Sequence, residues 1–252
     1  MELTSTAAIV TGGASGLGGA TATALAAKGA SVFALDLPAA IEKAAPAEGI
    51  TYVETDVTDP EQVQSAVATA SGAGVPLRTV VNCAGIGPSA RILSKKGTHD
   101  LALFRKVVEV NLIGTFNVTT LAAEAIAKTE PLEDDARGVI INTASIAAYD
   151  GQIGQVAYAA SKGGVVGLNL PAARDLASSG IRVMTIAPGI IDTPMLATVS
   201  EEIRAALAEG VPFPKRLGKP AEYAQLAVDI VEHDYLNGEV IRLDGSLRMA
   251  PR

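Results

Sequence analysis

The sequence predicts one α/β domain built on a doubly wound parallel sheet, and three observations predict it. Short, nearly uninterrupted apolar runs recur along 252 residues, separated by stretches of helical length. That is the pattern of strands buried on both faces. The first run meets the first helical stretch through the glycine cluster Thr11-Gly12-Gly13-Ala14-Ser15-Gly16-Leu17-Gly18. The second run ends on a carboxylate, Asp36.

Taken in order, Ala7-Ala8-Ile9-Val10-Thr11 is the first strand, and the alanine-rich stretch from Ala20 to Lys28 is a helix stopped near Gly29. Ser31 to Leu35 is a second strand and Thr51-Tyr52-Val53-Glu54 a third, placed before Asp56. Pro60 to Ala70 suits a helix, because Asp59 can cap it and Pro60 has no N–H to satisfy at the first position. Arg78-Thr79-Val80-Val81-Asn82 gives a fourth strand, and Leu101 to Ile126 carries the apolar periodicity of one long helix. Gly138 to Asn142 is a fifth strand, followed by a helix bearing Tyr158 and bent at Pro171, which lacks an N–H donor. Ile181 to Ile186 and Glu239 to Leu243 complete seven strands. Gly85 to Gly97 and Ala187 to Ala208 fit no regular element. The second of these, with Pro188-Gly189 and Thr193-Pro194, opens a substrate-loop region at 187–215 that reads as a cover. No repeat or linker divides the chain, so residues 1–252 are expected to form a single domain.

Composition narrows the function classes. The 25 glycines, with 4% aromatic residues and no Trp, favour close helix packing and tight turns over an aromatic-rich sandwich. A formal net charge of -7 argues against a nucleic-acid backbone as the main partner. The single Cys83 rules out an internal disulfide framework and a multi-Cys metal site. His99 and His233 stand too far apart in sequence to suggest a metal cluster. The opening Met1-Glu2-Leu3-Thr4-Ser5-Thr6 carries no basic region. No segment reads as approaching the roughly 20 apolar residues of a membrane span. The expectation is a cytoplasmic protein without membrane insertion.

The glycine cluster and Asp36 together point to a dinucleotide. Glycines at 12, 16 and 18 let a pyrophosphate approach the N–H groups and the positive end of a helix. Asp36, at the end of the second strand, can accept hydrogen bonds from an adenosine ribose and would repel a 2′-phosphate. Leu37-Pro38 offers no compensating cation, so NAD is favoured over NADP. Asp56-Val57 can border the adenine, and the small residues of Asn82-Cys83-Ala84-Gly85 leave room for a cofactor across the strand ends.

Further along, Ser145 precedes Tyr158 by thirteen residues, and Lys162 follows one helical turn later. On a helix Tyr158 and Lys162 share a face. A phenol loses its proton with difficulty near neutrality; a nearby ammonium favours the phenolate, and a hydroxyl opposite can polarise the same substrate oxygen. Such a group moves a proton on or off an alcohol or carbonyl oxygen, and a separate carrier must move the hydride.

These motifs, Thr11-Gly12-x-x-x-Gly16-x-Gly18, Asn82-x-Ala84-Gly85, Asn111-x-x-Gly114, Ser145, Tyr158-x-x-x-Lys162 and Pro188-Gly189, resemble those of the short-chain dehydrogenase/reductase family over almost the whole chain. The resemblance implies a single-domain Rossmann-type fold with a seven-stranded parallel sheet and a bound NAD. It implies a cofactor site including Gly12, Ser15, Gly16, Leu17, Gly18, Asp36, Asp56, Val57, Asn82, Ala84, Gly85, Tyr158, Lys162, Pro188, Gly189, Ile191 and Thr193. It also implies Ser145 as the substrate-orienting hydroxyl, Tyr158 as the general acid/base, Lys162 as the ribose ligand that supports the tyrosinate, and Asn111 as the holder of a relay water. The stretches Arg137 to Ser145, Gly151-Gln152-x-Gly154-Gln155, Val211 to Gly218 and Leu236 to Gly245 are similar to the family's 3-hydroxyacyl-CoA dehydrogenases. That narrower resemblance implies an (S)-3-hydroxyacyl-CoA substrate, with Gln152 and Gln155 as polar lining, and a homotetramer; Arg91 to Gly97 departs from it. A 3-oxoacyl-carrier-protein reductase, a steroid or small secondary-alcohol dehydrogenase, and a non-catalytic NAD-binding protein stand as the alternatives.

Overall fold

The computed structural model describes residues 1–95, 97–196 and 200–251. Seven parallel strands form one sheet: β1 (Ala7–Thr11), β2 (Ser31–Asp36), β3 (Ile50–Glu54), β4 (Leu77–Asn82), β5 (Gly138–Thr143), β6 (Ile181–Pro188) and β7 (Val240–Leu243). Their spatial order is β3-β2-β1-β4-β5-β6-β7. The chain thus winds outward from β1 to β3 and then restarts on the other side of β1. In such a sheet the crevice at the reversal is where ligands bind. Thr11 pairs with Leu35 on one side and Asn82 on the other. The turns after β1, β2 and β4 therefore leave the sheet along one edge.

Successive side chains of a strand point to opposite faces, and the helices divide accordingly. Ile9, Val80 and Ile140 pack with Val63 and Val67 of α2 (Pro60–Ser71) and with Val118 and Ile126 of α4 (Gly114–Ala127). Val10, Val81 and Ile141 pack on the other face with Leu25 of α1 (Gly16–Ala27) and Tyr223 and Val228 of α7 (Pro220–Glu232). Each fully buried Val, Leu or Ile contributes about 1.5–3 kcal/mol, so the central strands anchor the crevice rigidly. The expected cap of α2 is present: Asp59 Oδ1 accepts from the N–H groups of Glu61 at 2.9 Å and Gln62 at 3.2 Å.

Several elements differ from the sequence reading. Helix α1 begins at Gly16 rather than Ala20, because close packing of the glycine turn, not helix propensity, sets its start. The long helix expected from Leu101 is α3 (Leu101–Val108), a π-helical turn at Glu109–Ile113, and then α4. Its 27-residue run also qualifies as a membrane span by length, its most apolar window reaching a mean hydropathy of 1.2, contrary to the sequence expectation. Val118, Ala122 and Ile126 of that run are buried against the sheet. Helix α5 (Val156–Asp175) continues through Pro171. Within the expected loop 85–97 lies one strand of a short antiparallel pair, in which Leu93 opposes Thr98 and Ser94 opposes Gly97. The 187–215 region contains a 3₁₀ turn at Pro194–Leu196 and α6 (Glu201–Glu209); its residues 197–199 lie outside the described residues.

Candidate active site

The strand ends open into a cavity of about 850 Å³ that runs from Asp36 to Tyr158. Its floor begins with the glycine turn. Gly12 and Gly16 adopt φ of 64° and 55°, left-handed values that favour glycine. A Cβ on Gly12 would lie 3.0 Å from the Ala84 nitrogen, and one on Gly18 would collide with the Gly12 carbonyl oxygen. Without these side chains, the N-terminal N–H groups of α1 are left open to an anion. Asp36 fixes this turn: its Oδ2 accepts from the Ala14 N–H at 3.0 Å and its Oδ1 from the Leu37 N–H at 2.9 Å. Among the described residues, the cationic side chains lining the cavity are Lys106 and Lys162, and neither is a sequence neighbour of Asp36. This end therefore suits a ribose with free hydroxyls and opposes a 2′-phosphate.

Ser15, Leu17, Asp56, Val57, Ala84 and Gly85 line the same cavity, Gly85 beside Lys162, and Pro188, Gly189, Ile191 and Thr193 line the wall from the end of β6 onward. Asp56 accepts from the Thr58 N–H at 2.9 Å and the Thr58 hydroxyl at 2.7 Å, which holds the turn after β3. The two expected asparagines are placed differently, behind the cavity wall. Asn82 donates to Asn142 Oδ1 at 2.9 Å inside the sheet. Asn111, in the π-helical turn, accepts from the Ile86 N–H at 2.8 Å and donates to the Ile86 carbonyl at 2.9 Å and Ser161 Oγ at 3.0 Å. Its side chain is thus committed to holding the loop after β4.

Ser145 leaves β5 with its Oγ accepting from the Ala147 N–H at 3.1 Å. Tyr158 and Lys162 stand one turn apart on α5, and the Tyr158 side chain lines the same cavity wall as Ser145. Burial raises the phenol's pKa, and the neighbouring Ser145 hydroxyl partly offsets this. Lys162 follows on the same face of α5. Its ammonium lies 6.0 Å from the Tyr158 ring centroid and donates instead to the Thr143 carbonyl at 2.7 Å. Burial lowers the Lys162 pKa to about 8, against a smaller opposing effect of the neighbouring Cys83. The site therefore joins two hydroxyls able to address one oxygen with an amine that titrates close to neutrality, which is equipment for proton transfer.

Gln155 and Gln152 border this end of the cavity. Gln155 Oε1 accepts from the Gln152 N–H at 2.9 Å, and Gln152 Nε2 donates to the Ala250 carbonyl at 2.9 Å. The sequence reading missed Ile86, Lys106, Thr143 and Met249. Ile86 directly follows the Asn82-x-Ala84-Gly85 motif and could have been found from it. Met249, near the end of the chain, carried no local signal.

The family model described as short chain dehydrogenase matches residues 6–204. The human 3-hydroxyacyl-CoA dehydrogenase type-2 is 53% identical over 249 residues, covering 97% of this chain and 95% of the human one. The Drosophila melanogaster enzyme of the same name is 50% identical over 96% of this chain and 97% of its own. The crystal structure of 3-hydroxyacyl-CoA dehydrogenase type-2 from Mycobacterium avium superposes with a TM-score of 0.92 at 45% identity, covering 98% of both chains. With the glycine turn, the Ser145–Tyr158–Lys162 group and these relatives in agreement, the chain belongs to the short-chain dehydrogenase/reductase family.

Proposed function

We propose that this single domain is an NAD-dependent dehydrogenase interconverting (S)-3-hydroxyacyl-CoA and 3-oxoacyl-CoA. One observation carries the reading. Ser145, Tyr158 and Lys162 line the same cavity that carries Asp36 and the glycine turn. The names of the most similar relatives, 3-hydroxyacyl-CoA dehydrogenase type-2, support the acyl-CoA substrate.

Bound here, NAD would supply the hydride chemistry at C3 of the substrate. Gly12, Ser15, Gly16, Leu17 and Gly18 would hold its pyrophosphate at the α1 N-terminus, and Asp36 would accept from its adenosine ribose. Asp56 and Val57 would border the adenine, with Ala84 and Gly85, backed by Asn82, as the floor and Pro188, Gly189, Ile191 and Thr193 as the far wall. Ser145 orients the substrate oxygen. Tyr158 takes the hydroxyl proton in oxidation and gives it back in reduction. Burial opposes the phenolate this requires, so nearby positive charge must favour it; Lys162 supplies that charge and binds the nicotinamide ribose. Asn82 and Asn111 act from behind the wall, and Asn111, by clamping Ile86, fixes the loop beside the relay. Gln152 and Gln155 contact the groups next to the reacting carbon.

Initial rates with acetoacetyl-CoA and NADH test the assignment, run beside NADPH, a matched carrier-protein substrate and free ketones. The expected result is an NADH-dependent preference for the CoA substrate that Tyr158→Phe abolishes. Efficient reduction of free ketones with little CoA turnover would overturn the substrate assignment. A cytoplasmic homotetramer completes the reading. Exposed Ile113, Phe116 and Leu170 on the outer faces of the α3–α4 run and α5 support subunit packing. Light scattering should give about four chain masses, and a monomer mass would refute it.

A further inference from the structure

Beyond Ser145 the cavity wall turns apolar, with Ile146, Ile190, Leu207 and Met249. Ile146, Val211 and Leu247 form a small buried cluster against which Ile190 and Met249 pack. Neither the sheet nor a helix carries Met249 there. It rides on a strap formed by the last residues of the chain, stitched down on both sides. Before it, Arg242 donates to the Leu247 carbonyl at 3.1 Å while pairing with Asp150 at 2.6 Å and Asp244 at 2.7 Å. After it, the Ala250 carbonyl accepts from Gln152 Nε2 at 2.9 Å and the Pro251 carbonyl from the Ile153 N–H at 3.0 Å. Met249 is thus held between two anchors, one of which is the Gln152–Ile153 edge of the site itself.

Resting on the acyl-CoA reading above, we propose that the strap Leu247–Pro251 closes the acyl end of the cavity and that Met249 sets the acyl-chain length. A substrate with its C3 oxygen at Ser145 and Tyr158 has two arms. The CoA arm is polar and must leave toward water. The acyl arm beyond C4 is apolar and is stabilised by apolar surface, which the Ile146–Ile190–Met249 wall provides next to Ser145. A longer tail must therefore slide past Met249. Its unbranched thioether can yield to some extent, which grades the preference instead of cutting it off. Shortening this side chain frees volume along the tail; a rigid ring fills it.

The test is the ratio of kcat/KM for 3-oxodecanoyl-CoA to that for acetoacetyl-CoA. Accommodating or excluding a methylene in an apolar pocket changes discrimination by about tenfold or more. Met249→Ala should raise the ratio by about tenfold, and Met249→Phe should lower it by a similar factor. Met249→Leu, near in volume, should leave it within about threefold, and thermal melts of all three establish that they are folded. A ratio unmoved by both Ala and Phe overturns the proposal. That result, with Leu93→Ala shifting the ratio instead, would place the tail in the smaller cavity of about 390 Å³ that Leu93 lines. A wild-type chain inactive on every acyl-CoA would sink the acyl-CoA reading itself. Active wild type with an unmoved ratio sinks the strap's role alone.

Discussion

Replacing Lys162 by Met should make the protein more stable at pH 7 while removing its activity. Lys162 is buried, and burial holds its pKa at about 8 instead of the ordinary 10.5. That difference corresponds to roughly 3 kcal/mol by which the folded state disfavours the charged amine. Met fills a similar volume without a charge, but leaves the Thr143 carbonyl without the bond it accepts at 2.7 Å; an unsatisfied buried acceptor costs about 1–3 kcal/mol. The net expectation is about 1 kcal/mol of added stability at pH 7. Its pH dependence follows from linkage. Below about pH 8 the lysine is protonated in both folded and unfolded chains, and the penalty is fully present. Between 8 and 10.5 the unfolded chain binds more protons than the folded one, so wild-type stability gains with pH relative to the variant. Above 10.5 only the lost hydrogen bond remains, and the variant becomes the weaker. Urea unfolding of both proteins at pH 7, 8.5 and 10, followed by circular dichroism, measures this. A variant weaker than wild type at pH 7, or a difference flat across the series, would refute the reasoning.

Tyr158→Phe should lower kcat by about 10²–10⁴, the usual share of one acid/base group. NADH affinity by fluorescence titration should stay within a few-fold. Asp36→Ala should narrow the preference for NADH over NADPH in paired kcat/KM measurements. It should also lower stability by about 1 kcal/mol, because the Ala14 and Leu37 N–H groups lose their acceptor. Gly18→Ala drives a Cβ into the Gly12 carbonyl; NADH binding should weaken at least tenfold, read by the same titration. Glu222 is held at a pKa of about 2, first by its bond to Arg216. Because the pair is partly exposed, Glu222→Gln should cost no more than about 1 kcal/mol. The depressed pKa places that loss above about pH 4.5 and removes it as the pH falls toward 2, which melts at pH 7 and pH 3 would show.

The sheet and the chemistry of its edge are legible in the residues alone. Apolar runs such as Ile9-Val10 and Ile140-Ile141 are strands because burial on both faces leaves no room for alternation. The four-residue spacing of Tyr158 and Lys162 puts them on one face of any helix. Asp36 was legible because a strand end and a missing cation are both local features.

Tertiary structure decided what depends on distant partners. The π-helical turn at Asn111 is a one-residue change in helix register with no compositional mark, and it exists where Asn111 can reach Ile86 and Ser161. Helix α1 starts at Gly16 because its first turn packs on Gly12, against its own weak propensity. Lys162 points at Thr143, and its pKa falls, only because the folded chain excludes water around it. The strap is the extreme case: Met249 and Gln152 lie nearly 100 residues apart. Local pattern fixes periodicity and facing, whereas burial, closure and pKa belong to the whole packed chain, because each depends on which groups replace water.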